Sequence, residues 1–165
     1  MLKLIPYQKC FAEDIAVLVH QAISRIDCDV YSAEEKSAWS FAPRSRYHWH
    51  KRLTQSQTWV MIDVGSDSAT TSCCGFINLE TGYASRGYID SLYVHPDYQG
   101  QGIAGRLYKA LACWAKEQGY QMLSVDASVL SKPLFESVGF KLRHRSYQEK
   151  RGVVVMGYYM EKALA

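Results

Sequence analysis

The clearest early pattern in the chain is helical. Within residues 12–24, Ile15, Leu18, Val19 and Ala22 share one face at three- and four-residue spacing. A second, short helix is predicted to start after Ser32, because Ser32 and Glu35 make a capping box. A third is predicted over 45–55, "SRYHWHKRLTQ". The period then changes. Residues 58–64 ("TWVMIDV") and 71–80 ("TSCCGFINLE") predict strands, joined by the turn residues 65–70. Residues 87–94 predict another strand. Ile103, Leu107, Leu111 and Trp114 mark a long amphipathic helix that stops near Gly119, a residue suited to a left-handed C-terminal position. Residues 121–127 predict a strand, and 131–139 a short helix with Pro133 in its first turn. Residues 141–148 and 152–161 predict two closing strands around the turn "EKRG". The order is that of a mixed α/β fold. With 165 residues and no repeat, linker or low-complexity tract, one domain spanning 1–165 is expected.

The segment "VHPDYQGQGIAG" interrupts this alternation. Gly100, Gly102, Ala104 and Gly105 crowd the junction between a predicted strand and a predicted helix. Such a loop lets backbone N–H groups approach a phosphate. Gly100 and Gly105 have the spacing of a P-loop, but Arg106 and Leu107 stand where its lysine and hydroxyl belong. "GQGIAG" matches the dinucleotide fingerprint GxGxxG, and Asp126 even ends the next strand. Two features oppose that reading. "HPDYQ" separates the strand from the first glycine, and the chain after Asp126 is too short for the remaining parallel strands and crossovers.

The third reading takes in Gln99. Gln99, Gly102 and Ala104 give Q-x-x-G-x-A, entered from "LYVHPDYQ". This resembles the acetyl-CoA-binding signature of the GNAT superfamily, the acetyl-CoA-dependent N-acetyltransferases. The stretch "GYIDSLYVHPDYQGQGIAGRLYKAL" is similar across strand, loop and helix, and "VDASVLSKPLFESVGF" resembles the family's next strand and helix. "YSAEEKSAWS" looks closest to small stand-alone bacterial members. The resemblance implies the GNAT fold: a mostly antiparallel central sheet with one splayed parallel strand pair, flanked by helices. It implies acetyl-CoA as co-substrate, no metal, and an amine acceptor. The pyrophosphate would lie on Gln99, Gly100, Gln101, Gly102, Ile103, Ala104 and Gly105 at the helix N-terminus. Leu92, Tyr93 and Val94 would line the pantetheine arm, with Ser128, Lys132 and Phe135 completing the cofactor site. The Val94 N–H would polarise the thioester carbonyl. A homodimer is one arrangement that the resemblance allows.

Transfer requires an amine freed of its proton, hence a base. Asp90 and Glu80 are the leading carboxylates. Strict alternation puts Asp90 on the face of Leu92 and Val94, as base or as substrate anchor, while Glu80 ends its strand as a solvated charge. Asp126 is a base or a loop anchor. The family's "A-x-x-F-Y-E" helix carries a Tyr acid, but Phe135 stands there and cannot donate a proton. Tyr158, Tyr159 and Ser128 are possible substitutes. Tyr31, Trp39 and Phe41 mark an aromatic acceptor region, where Asp27 and Asp29 would attract a cationic amine.

Composition narrows the picture. A net charge of +3 suits an anionic cofactor but is weak for a nucleic-acid protein. Arg143, His144, Arg145, Lys150 and Arg151 accordingly read as solvated surface. His48 and His50 read as aromatic packing rather than metal ligands. Five cysteines without metal-ligand spacing predict reduced thiols and a cytoplasmic protein, with no leader, membrane segment, zinc site or disulfide framework. Two function classes compete with acetyl transfer. One is a non-catalytic acyl-CoA-binding module, favoured by Phe135. The other is a nucleotide oxidoreductase.

Overall fold

The computed structural model describes residues 1–67, 69–82 and 86–164. Ser68, within the predicted turn 65–70, lies outside the described residues. The elements in order are β1 (Leu2–Pro6), α1 (Ala12–Ser24), α2 (Ala33–Trp39), α3 (Arg46–Thr54), β2 (Ser56–Val64), β3 (Thr71–Glu80), β4 (Tyr88–Val94), α4 (Ile103–Glu117), β5 (Met122–Ala127), α5 (Lys132–Ser137), β6 (Lys141–Lys150) and β7 (Val153–Ala163). The strands form one sheet in the order β1-β2-β3-β4-β5-β7-β6. Every neighbouring pair is antiparallel except β4 and β5. That parallel pairing is short: only Tyr88 with Ser124 and Ile89 with Val125 are in register, and the strands diverge beyond.

Local chemistry explains the ends. Ser32 accepts from the Glu35 N–H and the Glu35 carboxylate accepts from the Ser32 N–H, so the capping box forms as predicted. Ser45 caps α3 through the His48 N–H. Gly87, at φ +69, brings the start of β4 against β5, and a Cβ there would sit 2.0 Å from the Met122 carbonyl oxygen. One strand escaped the sequence reading. β1 has only five residues and ends at Pro6, too few to show an alternation. Pairing with β2, from Leu2 opposite Asp63 to Pro6 opposite Trp59, makes it a strand. The hairpin turn is tighter than "EKRG": Glu149 and Lys150 still pair in the ladder, leaving Arg151 and Gly152 as the loop.

The sheet is covered on both faces. Leu107, Leu111, Phe135 and Phe140 pack with Trp59, Met61, Ile77 and Leu79 on one side. Ile15, Leu18, Val19, Trp49 and Leu53 pack with Val60, Ile62 and Phe76 on the other. Successive residues of β2 therefore serve opposite cores, which is why it reads as a continuous apolar run. Truncating a fully buried leucine such as Leu107 to Ala costs about 2–5 kcal/mol, so these two layers fix the sheet that carries the site.

Candidate active site

The backbone of β4 sets the site. The His95 N–H donates to the Cys74 carbonyl at 2.7 Å. In an antiparallel ladder, alternate residues point their polar groups toward the partner strand. Tyr93 and Ser91 thus share the direction of His95, toward β3. Leu92 and Val94 point the other way, toward the gap left where β5 diverges. Gln99 Nε2 donates to the Val94 carbonyl at 3.2 Å, so that oxygen is covered. The Val94 N–H faces the gap.

At the end of β4 the chain turns through Gln99–Gly102 into α4. Gly102 is the N-cap, at φ +76, and no side chain caps this terminus. The first turn contains no acidic residue. The first N–H groups of a helix lack intrahelical partners and carry the positive end of its dipole. A Cβ added at Gly100, Gly102 or Gly105 would meet nothing within 4 Å, so the approach is open. Ile103 sends its side chain into the core and offers only its backbone. Ala104 and the exposed Gln101 flank the same turn. Donors, dipole and open space together fit a pyrophosphate.

On the opposite face, a cavity of about 930 Å³ opens where β4 and β5 part. Its inner wall carries Tyr88, Asp90, Ser91 and Tyr93 from β4, and Asp126 and Ser128 at the end of β5. Its outer wall comes from the α2–α3 loop and the tip of the β6–β7 hairpin. Asp90 is not on the face of Leu92 and Val94, as alternation predicted. The register steps from Leu79 opposite Ile89 to Asn78 opposite Ser91, leaving Asp90 as the extra residue of a β-bulge. Ile89 and Leu92 both pack into the α4-side core, while Asp90 turns toward α3. There Asp90 Oδ2 accepts from Arg52 Nε at 2.7 Å and from Asn78 Nδ2 at 3.4 Å. Burial and the ion pair act oppositely on Arg52, whose guanidinium is held above its ordinary pKa.

The other predicted residues divide. Tyr31, Trp39 and Phe41 do line the cavity, with Tyr31 edge-on to Trp39 at 5.5 Å. Asp126 lines it and accepts from the Tyr88 hydroxyl at 2.7 Å; burial and that bond raise the Tyr88 pKa. Tyr93 is pushed up to about 12, chiefly by burial. Glu80 stands opposite Ser56 and does not line the cavity. Asp27 and Asp29 are exposed and stay outside it, Asp27 accepting the Asp29 N–H in a local turn. Tyr158 and Tyr159 also lie outside: Lys132 Nζ sits 5.0 Å from the Tyr158 ring centre, and Tyr159 donates to Glu161. Phe135 is 1% exposed and packs edge-on against Tyr108 and Phe140. That burial places it in the core, a correction to its reading as a cofactor contact. Lys150 and Arg151, read as solvated surface, line the cavity instead. His48 lines it too, while His50 bonds the Tyr7 hydroxyl. No metal-binding group of side chains occurs among the described residues.

Sequence reasoning missed Arg52 and Asn78. Asn78 is a fully buried amide in the apolar run of β3, and that mismatch is a usable signal. Arg52 gave none, because its partner lies 38 residues away.

A sheet that forks between two parallel strands, with an uncapped helix terminus on one face and a cavity on the other, defines a scaffold that can hold an anionic cofactor and a second ligand on the two sides of one gap. A family model described as "Acetyltransferase (GNAT) domain" matches residues 28–162, and the chain belongs to that family. The chain is 32% identical over 157 residues to the uncharacterized N-acetyltransferase YafP of Escherichia coli K12, covering 93% of this chain and 91% of that protein. A GCN5-related N-acetyltransferase structure from Rhodopseudomonas palustris superposes with a TM-score of 0.86 at 29% identity, over 98% of this chain and 95% of that one. The YncA structure from Salmonella typhimurium, which contains its cofactor acetyl-CoA, superposes with a TM-score of 0.73 at 17% identity, over 100% and 95%. The mixed sheet with its single parallel pair is the GNAT fold, as the resemblance implied.

Proposed function

We propose that this chain is a cytoplasmic N-acetyltransferase that moves the acetyl group of acetyl-CoA to a primary amine of a small molecule, both substrates being bound together. The observation that carries this is the fork between β4 and β5, with the open N-terminus of α4 following β4 on one face and the 930 Å³ cavity on the other. The acetyl-CoA seen in the YncA relative supports the choice of cofactor. Gln99, Gly100, Gln101, Gly102, Ile103, Ala104 and Gly105 hold its pyrophosphate on backbone N–H groups. Leu92 and Val94 pair with the pantetheine arm as an added strand would. The Val94 N–H donates to the thioester carbonyl and stabilises the charge that develops there. Ser128, at the end of β5, and Lys132, at the start of α5, complete the cofactor site in this reading.

The amine enters from the cavity side. Its nitrogen forms the new C–N bond as the C–S bond breaks, the proton leaves toward Asp90 directly or through water, and coenzyme A departs as thiolate. A thiol has a moderate pKa, ~8.5 for free Cys, so departure does not need the missing Tyr acid. Asp90, bulged into the cavity, is the base or the anchor of the ammonium.

Loss of thioester from acetyl-CoA in the presence of an amine panel tests the activity: release no faster than without enzyme refutes it. Asp90→Asn separates the two roles. As base, Asp90 contributes about 10²–10⁴-fold, largest at neutral pH and shrinking as free amine accumulates. A uniform loss with weaker amine binding makes it the anchor.

A further inference from the structure

We propose that the acceptor carries an oxyanion, a carboxylate or a phosphate, beside the amine that is acetylated, and that Arg44, Lys150 and Arg151 hold this group at the outer wall of the cavity. The proposal rests on the acetyltransferase reading above and names the class of acceptor.

Charge placement argues for it. The cavity is lined by four cations, Arg44, Arg52, Lys150 and Arg151, against three carboxylates, Asp90, Asp126 and Glu149. Arg52 alone among those cations has an ion-pair partner among the described residues, Asp90. Asp90 and Asp126 sit on the inner wall, where β4 and β5 part. Arg44, Lys150 and Arg151 sit on the outer wall, on the α2–α3 loop and the hairpin tip, where, among the described residues, Glu149 is the one carboxylate lining the cavity beside these three cations. The cavity is thus polarised along its depth. A zwitterion fits that field with its ammonium toward the fork and its oxyanion outward. A polyamine would bring a second cation against three that are already unpaired.

The cost of this arrangement is visible. Lys150 is half-buried, yet among the described residues no carboxylate lies within ion-pair distance of it. A half-buried charge without a partner is unfavourable. Burial pushes the Lys150 ammonium below its ordinary pKa, and Arg52 and Arg44 push it further, with Asp90 offsetting only part. His48, on the same side of the cavity, is lowered by burial and by the same two arginines. Burial leads in both cases, and Arg44 and Arg52 are the cationic neighbours that the two groups share.

Arg151 adds an independent observation. It and Gly152 form a two-residue hairpin loop, at φ 51 and φ 80. Loops with positive φ at both positions favour Asn, Asp or Gly, so an arginine here is strained. Its guanidinium lies 4.6 Å over the ring of Phe41, itself an exposed residue. A guanidinium stacked by its face keeps its N–H edge free, which is the edge that binds carboxylate or phosphate in a forked pair.

The experiment compares matched amines on the protein loaded with coenzyme A or acetyl-CoA. α-Amino acids are set against their amides, and phosphoethanolamine against ethanolamine. Calorimetric binding and initial rates are both measured. The charged member of at least one pair should bind, and react, about tenfold or more better than its neutral counterpart, as charge-assisted hydrogen bonds allow. Whether the carboxylate or the phosphate pair shows the larger ratio identifies the oxyanion. Lys150→Gln and Arg44→Gln should each shrink the ratio, and Lys150→Arg should restore it. Arg143→Gln, which removes a cation paired with Glu161 outside the cavity, should leave it unaltered. Equal binding within every pair, preference for the neutral member, no binding by either, or a ratio that survives both substitutions overturns the proposal. Normal coenzyme A binding without turnover of any amine overturns the acetyltransferase reading instead, and the binding ratios still decide the oxyanion.

Discussion

Replacing Gly105 with Glu separates cofactor binding from folding. Gly105 is the third residue of α4, its φ is not positive, and a Cβ there meets nothing within 4 Å. The substitution therefore strains neither backbone nor packing. A glycine inside a helix is about 0.8–1.0 kcal/mol worse than alanine, and glutamate recovers roughly half a kcal/mol or more of that. A carboxylate in the first turn gains a further ~0.3–1 kcal/mol from the helix dipole. The folded state should gain about 1 kcal/mol, raising Tm by roughly 2–4 °C for a chain of this size. Cofactor binding should move the other way. At ~5 Å and an effective dielectric of ~20, a carboxylate repels one phosphate charge by about 3 kcal/mol, near two hundredfold in Kd. Thermal scanning and calorimetric titration with acetyl-CoA read the two effects on the same sample. A variant with raised Tm and Kd within about threefold of the parent would refute the placement of the pyrophosphate at this terminus.

Gly87→Ala should be severely destabilising, because the new methyl lies 2.0 Å from the Met122 carbonyl oxygen at a positive φ; chemical denaturation should show a loss of roughly 2 kcal/mol or more. In the native protein the exposed Cys10, Cys28 and Cys113 should react readily with a disulfide reagent, while Cys73 and Cys74 react only on unfolding. Burial pushes those two thiols up to about 12 and about 11, so thiolate is scarce at pH 8, and reaction of all five at one rate would contradict the fold. His48 has a folded pKa below its ordinary 6.5, so its contribution to stability is present above pH 6.5 and is lost as pH falls through the folded value. His48→Gln should flatten the decline in Tm below pH 6.5, and an unchanged slope would show that another group carries it.

The parts of the molecule legible in the sequence were those written in contiguous residues. The capping box at Ser32 and Glu35, the run of β3 and the glycine turn into α4 each depend on neighbours within a few positions. The family resemblance extended this to the sheet. What stayed hidden depends on partners distant in the chain. β1 is a strand only because β2 lies beside it. The Asp90 bulge is a property of the β3–β4 register, so alternation along β4 gave the wrong face. Lys150 and Arg151 looked like a solvated hairpin tip, since nothing local says that the hairpin bends over Phe41 and Arg44. Phe135 was legible as the departure from the family's tyrosine, but its burial against Tyr108 and Phe140 was not.

The bulge gives β4 three separate clients. One residue out of phase lets Ile89 and Leu92 feed the core under α4, Asp90 and Tyr93 face the cavity, and the Leu92–Val94 edge stay free for a third partner. A regular strand could not turn two adjacent side chains, Asp90 and Ser91, to one wall and still return Ile89 to the core. Deleting either residue would close the bulge into a regular ladder, with Ile89 still opposite Leu79 and Leu92 opposite Ile77. Core and free edge would keep their residues, and only the cavity would lose a polar side chain. Loss of Asp90 in this way would strip the cavity of the carboxylate that pairs with Arg52. The extra residue is thus an insertion that serves the cavity alone.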